Sequence, residues 1–459
     1  MKTVMPIGVD DFKEVRERYY FVDKTPFIAD FFKTRAKVTL ITRPRRFGKT
    51  LTMSMLRYFF DLEDADEHRK LFDGLAISRD AAMMAEMGTR PVLFLTLRGW
   101  KALDWPSMQA MIVNGLQQVA REQKCLRESE RVDSADRAWL DAVYWKKASF
   151  SDLKDALAVL LRILEAHYGK KPILLLDEYD VPIQSAWEHE FYDEAIDFFR
   201  TFLTTALKTN PSLDFAVLTG VLRISKESIF SDLNNLSVDS VLQMKYPTAL
   251  GFTPDEVQKL AADLGHADKM AELRTWYDGY RFDGHEIYNP WSVLNYFSYR
   301  CEPEPYWVNT SGNAVIAELM KIDGDAERLE DALGSYLERV ASTFDTAKGK
   351  EAFYHGFILG LTAVLVPDYE VRSNRESGYG RYDVAILPKT KGQPGVVMEL
   401  KIAECEDELP AKAEEALAQI QAHDYADERK AREAQPLRCF GMAFYGKMAA
   451  VRMASLAFE

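Results

Sequence analysis

Short, continuous apolar runs alternate with helical patterns over the first half of the chain. The runs are KVTLIT (37–42), PVLFLTL (91–97), PILLLD (172–177) and LDFAVLTG (213–220). A strand that is apolar at every position has both faces buried, which is typical of a parallel sheet covered by helices on both sides. The pattern therefore predicts an α/β domain with a doubly wound parallel sheet over residues 1–250.

The pattern changes in the segment 251–340, where comparable apolar runs disappear. This segment is rich in aromatic and turn residues, as in WYDGYRF (276–282), IYNPWSVLN (287–295) and YWVNTSGN (306–313). We interpret it as a mostly helical module without strands, packed on the preceding domain.

Apolar strand patterns return in the segment 341–459. A helix at 351–361 is followed by RYDVAILP (381–388), GVVMELKI (395–402), a helix at 411–425, LRCFGMAFYG (437–446) and MAAVRMA (448–454). This order of helix, strands, helix and strands predicts a second α/β unit with its own core.

The composition limits the class of protein. Apolar residues make up 47% and charged residues 28% of the 459 residues, which excludes a disordered, collagen-like or fibrous chain. Uncharged stretches such as Gly356–Pro367 are shorter than the about 18 apolar residues of a membrane span. The first residues, MKTVMPIGVDDFKEV, are acidic where a signal peptide needs an apolar core. We therefore expect a cytoplasmic protein with no membrane partner.

Charge and cysteine content narrow the expected partners. The net charge of −13 argues against a protein that coats nucleic acid through bulk charge, so any nucleic-acid contact must be local. The four cysteines lie far apart without a C-x-x-C pair, which favours reduced thiols over a zinc ribbon or a disulfide framework.

The first apolar strand leads directly into RPRRFGKTLTMSML, which contains the end of a phosphate-binding loop. Gly48 permits close approach of the backbone to phosphate, Lys49 reaches the β- and γ-phosphates, and the Thr50 hydroxyl can bind Mg²⁺. The usual first glycine of G-x-x-x-x-G-K-[ST] is Arg43 here, and a surface lysine at a helix start is the alternative. The candidate nucleotide-binding residues of this loop are Arg46, Phe47, Gly48, Lys49, Thr50 and Leu51.

The strand PILLLDEYD ends in two acidic residues, Asp177 and Glu178. An ATPase needs one carboxylate to hold Mg²⁺, together with Thr50, and another to polarise the attacking water. Two solvated acids at a strand end are the alternative for this pattern alone. The combination with the phosphate-binding loop in one α/β pattern favours a site for ATP and Mg²⁺.

The strand LDFAVLTG ends in Thr219, and Arg223 follows a few residues later. If this strand is adjacent to the loop, Thr219 can sense the γ-phosphate and Arg223 can neutralise the charge that develops during phosphoryl transfer. A structural ion pair is the alternative role of Arg223. Because this is the one obvious arginine near the expected γ-phosphate, we also expect the site to work across an interface or with the helical module.

The last α/β unit contains a second constellation. Asp383 opens one strand, and Glu399 and Lys401 share one face of the next strand because they are two positions apart. Two carboxylates and a lysine suit metal-dependent phosphodiester hydrolysis, in which the acids hold Mg²⁺ and the lysine positions or activates water. A solvated strand face with alternating charges is the alternative.

Further side chains could complete this second site. Glu351 on the preceding helix could add a third carboxylate to the metal, and Gln419 on the following helix could orient substrate or water. His355 shares the helix face of Glu351 and is interpreted as a core histidine rather than a metal ligand.

Several long motifs together resemble the bacterial AAA-ATPase-like family, whose members often carry a C-terminal PD-(D/E)XK nuclease-superfamily domain. They are MPIGVDDFKEV, YYFVDKTPFI, ITRPRRFGKTLTMSML, LLLDEYDVPI, LTGVLRISKESIFSDLNNL, WYDGYRF, IYNPWSVLNY, SNRESGYGRYDVAILP and VVMELKIA. The resemblance implies a P-loop core with Walker A and B roles for Lys49, Thr50, Asp177 and Glu178. It also implies a restriction-endonuclease-like domain with Asp383, Glu399 and Lys401 as the D…E-x-K signature and Glu351 as the helix acid. Arg43 belongs to the RPRRFGKT form of this family.

These observations lead to one main interpretation and two others. The main one is an ATP-binding and ATP-hydrolysing protein fused to a Mg²⁺-dependent nuclease-like domain that acts on DNA or RNA, in genome defence or mobile-element biology, with a homo-oligomer as a further possibility. A nucleotide-switched binding or scaffold protein with a non-cleaving nuclease-like fold is the second interpretation. A P-loop kinase or another small-molecule transferase is the third, and the sequence contains no acceptor-substrate signature for it.

Overall fold

The computed structural model describes residues 3–221, 234–240, 244–282, 285–303, 329–330, 333, 354–355, 358, 369–377, 380–389, 393–422, 437–446 and 448–456. The chain divides into two compact units, Met1–Cys301 and Glu302–Glu459. Each unit contains a five-stranded sheet. The domain boundaries at residues 250 and 340 stay predictions.

The first unit alternates strands and helices. Its strands are β1 (Val38–Thr42), β2 (Val92–Thr96), β3 (Ile173–Asp177), β4 (Ala216–Gly220), β5 (Leu236–Asp239), β6 (Asp278–Phe282) and β7 (His285–Tyr288). Its α-helices are α1 (Phe12–Arg18), α2 (Pro26–Thr34), α3 (Lys49–Phe60), α4 (Ala65–Leu71), α5 (Ala81–Glu86), α6 (Trp105–Glu122), α7 (Lys124–Arg127), α8 (Ser134–Tyr144), α9 (Ala156–Tyr168), α10 (Val181–Glu188), α11 (Tyr192–Leu207), α12 (Pro254–Asp263), α13 (Met270–Tyr277) and α14 (Pro290–Ser298).

The main sheet of this unit is parallel and has the order β2-β3-β4-β1-β5. Every residue of β1, β3 and β4 is buried, because helices cover both faces. Leu174 and Leu176 enter a hydrophobic cluster with α6, α9 and α11, whereas Leu175 between them enters another cluster with α2 and α3. The predicted doubly wound parallel sheet is confirmed.

The carboxyl ends of the parallel strands meet at one edge of the sheet. The loop 43–48 follows β1, Asp177 ends β3, and Thr219 and Gly220 end β4. Because β4 lies between β1 and β3, these residues come from three neighbouring strands. This edge is where open α/β sheets bind their ligands.

The segment after the sheet contains both helices and a hairpin. The helices α12, α13 and α14 agree with the mostly helical module, but β6 and β7 form an antiparallel pair in which Phe282 lies opposite His285. The expectation that strands are absent from this segment is therefore wrong. The buried Phe282 and Ile287 give the hairpin an apolar face.

The second unit contains a mixed sheet of order β12-β11-β10-β9-β8. Its elements are β8 (Tyr369–Ser377), β9 (Gly380–Pro388), β10 (Gly395–Ile402), α15 (Leu409–Ala422), β11 (Leu437–Tyr445) and β12 (Met448–Leu456). β10 and β11 are parallel and are connected through α15, and the other neighbouring strands pair antiparallel. This mixed sheet with a crossover helix confirms the predicted second α/β domain.

Helix α15 lies very close to this sheet at one glycine. A Cβ atom added to Gly441 of β11 would lie 2.2 Å from the Ala413 carbonyl oxygen and 2.3 Å from the Leu417 backbone nitrogen. Around this contact, Leu417 and Ile420 of α15 pack with Val397 of β10 in a buried cluster. Only glycine allows the helix backbone to lie at this distance from the strand.

Within the part of the chain that the structure describes, no helix has both the length and the apolar character that crossing a membrane requires.

Candidate functional sites

The loop between β1 and α3 has the backbone turn that a phosphate-binding loop needs. Gly48 precedes the first residue of α3 and has a left-handed φ of 82°, a conformation that favours glycine. Arg46 has a φ of 69°, which is uncommon for a residue with a side chain and marks a constrained backbone. These turns leave the first N–H groups of α3 at the carboxyl edge of the sheet, where they can bind an anion.

Lys49 is directed back onto this loop. Its Nζ donates hydrogen bonds of 2.9 Å to the carbonyl oxygens of Arg43 and Pro44, and the side chain is buried. Burial lowers the pKa of Lys49 to about 8, although the nearby carboxylates of Asp180 and Asp177 act in the opposite direction. The amine is thus a cation that titrates close to neutral pH.

The Asp177 carboxylate is the centre of the hydrogen bonds at this edge. Thr50 donates to its Oδ2 atom at 2.8 Å, Thr219 donates to its Oδ1 atom, and Thr96 lies 3.5 Å from Oδ2. The structure therefore brings together Thr50 of the loop, Asp177 of β3 and Thr219 of β4, as the sequence motifs predict. The donor set consists of oxygen atoms, which fits a Mg²⁺ ion held by Thr50 and Asp177.

Glu178 follows Asp177 and lies at the same edge, with a left-handed φ of 54°. Its backbone N–H donates to the Thr219 hydroxyl at 3.3 Å. Burial raises the pKa of Glu178, and the charge of Asp177 adds to this effect, while Lys49 and Arg98 oppose it. A carboxylate with a raised pKa is a better proton acceptor near neutral pH than a solvated one.

The other predicted loop residues point away from the carboxylates. Phe47 is buried, with its ring 5.5 Å from that of Phe282, and Leu51 packs against the same hydrophobic cluster. The guanidinium carbon of Arg46 lies 3.9 Å from the centre of the Trp291 ring. Phe47 and Leu51 can therefore contribute only backbone N–H groups to a nucleotide, and their assignment as nucleotide-binding residues stays a prediction.

Two functional candidates at this edge were not among the sequence-predicted residues. Asp180 is fully buried and accepts the Val221 N–H at 2.8 Å. Its negative charge raises the pKa of Lys49 more than any other nearby charge does, and so opposes the effect of burial. Arg98 follows β2, pairs with Asp10 at 2.6 Å, and lowers the pKa of Glu178. The acidic run DEYD (177–180) could have indicated Asp180 from the sequence. The proximity of Arg98 to Glu178 could not be predicted in this way, because it requires β2 to lie next to β3. Arg223 lies outside the described residues.

The second unit brings Asp383, Glu399 and Lys401 to one face of its sheet. In the antiparallel pairing of β9 with β10, Val384 lies opposite Met398. Asp383 and Glu399 are the next residues along their respective strands. Asp383 Oδ2 accepts the Leu400 N–H at 2.7 Å, and Lys401 Nζ lies 3.9 Å from Glu399 Oε1. Asp383 and Glu399 are both buried, which contradicts a solvated charged face for the two acids.

Two further residues that the sequence analysis considered contact this cluster. Gln419 of α15 donates to Glu399 Oε1 at 2.5 Å, so the helix that follows β10 supplies a neutral side chain to the site. His355 Nε2 lies 3.0 Å from the Asp383 carbonyl oxygen, so the ring is bound to the main chain at the site, as a structural histidine would be. Next to it, the Tyr354 hydroxyl donates to the Gly446 carbonyl oxygen at 2.7 Å and the ring stacks on Phe444.

The oxygen ligands of this cluster fit a hard divalent cation such as Mg²⁺. Asp383 and Glu399 would hold it, and their location on neighbouring strands fits that role. Glu351, the predicted third carboxylate, lies outside the described residues. Among the residues that are described, no group of three or more His, Cys, Asp or Glu side chains lies close enough to bind a metal ion.

Comparison with known proteins agrees with this division. Residues 6–230 match the model of a family described as predicted AAA-ATPase, and residues 349–453 match the model of the PD-(D/E)XK nuclease superfamily. A protein of Azotobacter chroococcum mcd 1, described as an uncharacterized protein in the vnfD 5' region, is 30% identical over 322 residues. That match covers 69% of this chain and 56% of the relative, so the chain spans only about half of its length. The chain therefore combines an AAA-ATPase-like domain with a domain of the PD-(D/E)XK nuclease superfamily.

Proposed function

We propose that the first unit binds and hydrolyses ATP with Mg²⁺. The observation that carries this proposal is the contact of the Thr50 hydroxyl with the Asp177 carboxylate at 2.8 Å, which joins the loop to the end of β3. A hydroxyl and a carboxylate in this relation are the two protein ligands that P-loop ATPases offer to Mg²⁺. A surface lysine at a helix start would not require this contact.

Each residue has a role that follows from its position. Lys49 would exchange its bonds to the Arg43 and Pro44 carbonyls for bonds to phosphate oxygens, and its positive charge would offset the charge of the transferred group. Glu178 would orient a water molecule and accept its proton at the carboxylate, for which a raised pKa is favourable. A bound Mg²⁺ would neutralise phosphate charge.

ATP binding and turnover test this proposal. Lys49→Ala removes the cation and should abolish measurable binding in isothermal titration with MgATP. The matched control is Lys33→Ala, because Lys33 is an exposed lysine of α2. Wild-type affinity in Lys49→Ala, with the control also unchanged, would refute the assignment.

We further propose that the second unit is a metal-dependent phosphodiesterase that acts on DNA or RNA. Asp383 and Glu399 would hold the divalent ion, and Lys401, which lies 3.9 Å from Glu399, would position water and offset phosphate charge. Gln419 would keep the Glu399 carboxylate in one orientation through its 2.5 Å bond. The burial of both acids supports a metal site, because a buried carboxylate is costly unless a cation or hydrogen-bond donors compensate its charge.

A metal titration and a cleavage assay test this second proposal. Mn²⁺ should raise the melting temperature of the wild type, since a ligand that binds only the folded state stabilises it, and the rise should shrink in Glu399→Gln. Lys401→Met should keep the metal response and lose cleavage of mixed DNA and RNA substrates. A wild type that responds to metal in the melting assay but cleaves neither substrate would favour the nucleotide-switched scaffold.

We propose that the two activities act together in genome defence or mobile-element biology, with ATP turnover controlling cleavage. The pairing of an AAA-ATPase-like domain with a nuclease-superfamily domain in one chain supports this proposal. Bacteria that express the protein should restrict incoming plasmid or phage DNA, and Lys49→Ala and Lys401→Met should each remove the restriction. Equal plasmid establishment with and without the protein would argue against this role.

A further inference from the structure

Arg43 occupies the position at which most phosphate-binding loops have their first glycine. The left-handed backbone conformations of this loop occur at Arg46 and Gly48, so residue 43 does not need the freedom of glycine. A side chain is therefore tolerated at position 43, and its location explains what it adds.

The Arg43 side chain is fully buried and is held by an acid on the edge strand β5. Its Nη2 atom donates to Asp239 Oδ2 at 2.9 Å and to the Tyr246 carbonyl oxygen at 3.1 Å. Its Nη1 atom donates to the carbonyl oxygens of Asp239 and Thr42, at 3.0 and 2.9 Å. The planar guanidinium thus links the end of β1 to the end of β5 and to the segment around Tyr246.

Asp239 is equally constrained. It is buried, and its second oxygen, Oδ1, accepts the backbone N–H groups of Lys245 and Tyr246 at 2.6 and 3.3 Å. The ion pair is therefore part of a hydrogen-bonded network rather than an isolated contact. Removal of one partner would leave a buried charge without compensation.

The backbone of Arg43 in turn contacts the functional side of the loop. Its carbonyl oxygen accepts Lys49 Nζ at 2.9 Å, and its N–H donates to the Gly220 carbonyl oxygen at 3.2 Å, next to Thr219. The side chain and the backbone of one residue thus connect Asp239 to Lys49. The contacts of the guanidinium therefore restrain the residue whose carbonyl group holds the Lys49 amine.

We propose that the Arg43–Asp239 ion pair is a positioning device that replaces the first glycine and holds the loop, and with it Lys49, in the conformation that accepts a nucleoside triphosphate. This inference rests on the proposed ATP site. It assigns a role to two residues that would not touch the nucleotide. Neither charge is available to a ligand, because both side chains are almost completely excluded from solvent.

A comparison of three variants separates positioning from stability. Arg43→Met leaves the Asp239 carboxylate without its partner and should lower the melting temperature. Asp239→Asn removes the negative charge, while its side-chain oxygen can still accept the Lys245 and Tyr246 N–H groups. The double variant Arg43→Met/Asp239→Asn contains no buried charge at this place and should regain most of the melting temperature.

The affinity for ATP should not return with the stability. In the double variant we expect MgATP to bind at least about tenfold more weakly than in the wild type, because a displacement of about 1 Å in a site costs of that order or more. Without nucleotide, amide hydrogen exchange of residues 43–49 should also be faster. The matched control is Arg90→Met/Asp214→Asn, which removes an ion pair of 2.7 Å at the opposite, amino edge of the same sheet. It should bind ATP like the wild type.

Two other outcomes would overturn the inference in distinguishable ways. A folded double variant with wild-type ATP affinity and wild-type hydrogen exchange in the loop would show that the pair serves stability alone. A wild type that does not bind ATP at all would overturn the proposed ATP site itself, and the positioning role with it.

Discussion

Thr50 and Asp177 stand 127 positions apart in the chain, and a hydrogen bond of 2.8 Å joins the hydroxyl of one to the carboxylate of the other. The contact exists because β4 separates β1 from β3 and the carboxyl ends of the three strands meet at one edge. Thr219 of β4 donates to the second carboxylate oxygen, so Asp177 receives one hydroxyl group from the neighbouring strand β4 and one from helix α3, which follows β1. The carboxylate is thereby fixed before any cation arrives.

This relationship predicts how ATP binding depends on Mg²⁺. Thr50→Val keeps the shape of the side chain and removes the hydroxyl, so the gain in ATP affinity on adding Mg²⁺ should fall by about tenfold or more. A hydrogen bond to a charged group is worth about 1.5–3 kcal/mol, which corresponds to such a factor. Thr50→Ser retains the hydroxyl and should keep the gain. Titrations with ATP in Mg²⁺ and in EDTA would measure both, and an equal gain in Thr50→Val would contradict the assignment.

Glu178 should separate binding from turnover. Glu178→Gln keeps the shape of the side chain and removes the proton acceptor, so ATP should still bind while hydrolysis falls about 100-fold or more. Phosphate release and nucleotide titration measure the two effects. The control is Glu190→Gln, which changes an exposed glutamate after α10 and should leave both unchanged. Parallel loss of binding and turnover in Glu178→Gln would indicate a structural role.

The lowered pKa of Lys49 leads us to expect that ATP affinity depends on pH. In the free protein its pKa is about 8, and bound phosphate stabilises the protonated amine, so the pKa is higher in the complex. Below pH 8 the amine is already charged and binding needs no proton. Above pH 8 binding must take up a proton, so the affinity for ATP falls as the pH rises.

Calorimetry in buffers of different ionisation enthalpy would detect this proton uptake at pH 9 and its absence at pH 7. Lys49→Arg carries a charge that does not titrate in this range, so any binding that it retains should lose the uptake. Proton uptake at pH 9 that persists in Lys49→Arg would assign the effect to another group.

The close packing of α15 on Gly441 predicts that a larger residue at this position destabilises the second unit. Gly441→Ala places a methyl group against the backbone of α15, so we expect a loss of about 1–3 kcal/mol in the free energy of unfolding of this domain. Urea denaturation measures it. Gly99→Ala is the control, because a Cβ atom at Gly99 would have no neighbour within 4 Å.

The same variant should also affect the candidate nuclease site. Gly441 lies opposite Glu399 in the pairing of β10 with β11. Gln419, which donates a hydrogen bond to Glu399, is part of α15, the helix that packs against Gly441. Displacement of α15 should therefore lower cleavage even at temperatures where the domain stays folded. Full cleavage in a folded Gly441→Ala protein would show that the helix position is not critical.

The strands that the sequence predicts are those with a long apolar run, most of whose residues are buried. β1, β3 and β4 are mainly apolar because both of their faces are buried, and GVVMELKI matches β10 at both ends. β5 was not predicted, because LSVD is a short edge strand with partly exposed residues that leave no apolar run. The E-x-K and DE motifs could be found for a related reason, since a carboxylate at the end of an apolar strand interrupts a strong pattern.

Contacts that depend on strand order could not be predicted in the same way. Arg43 and Asp239 are 196 positions apart, and their pairing requires that β5 lies next to β1. A single arginine and a single aspartate carry no sequence signal for such a pair. Arg98 near Glu178 is a similar case, because it requires β2 next to β3.

The contacts of residues 354 and 355 define how much of the chain an independent nuclease-like fragment needs. Tyr354 covers Phe444 and binds the Gly446 carbonyl oxygen, and His355 binds the Asp383 carbonyl oxygen. A fragment that begins at Tyr369, the first residue of the sheet, would lack both side chains and expose an aromatic ring of β11 to water. A fragment for biochemical study must therefore begin well before position 354, and truncation between 354 and 369 should produce aggregation rather than an inactive enzyme.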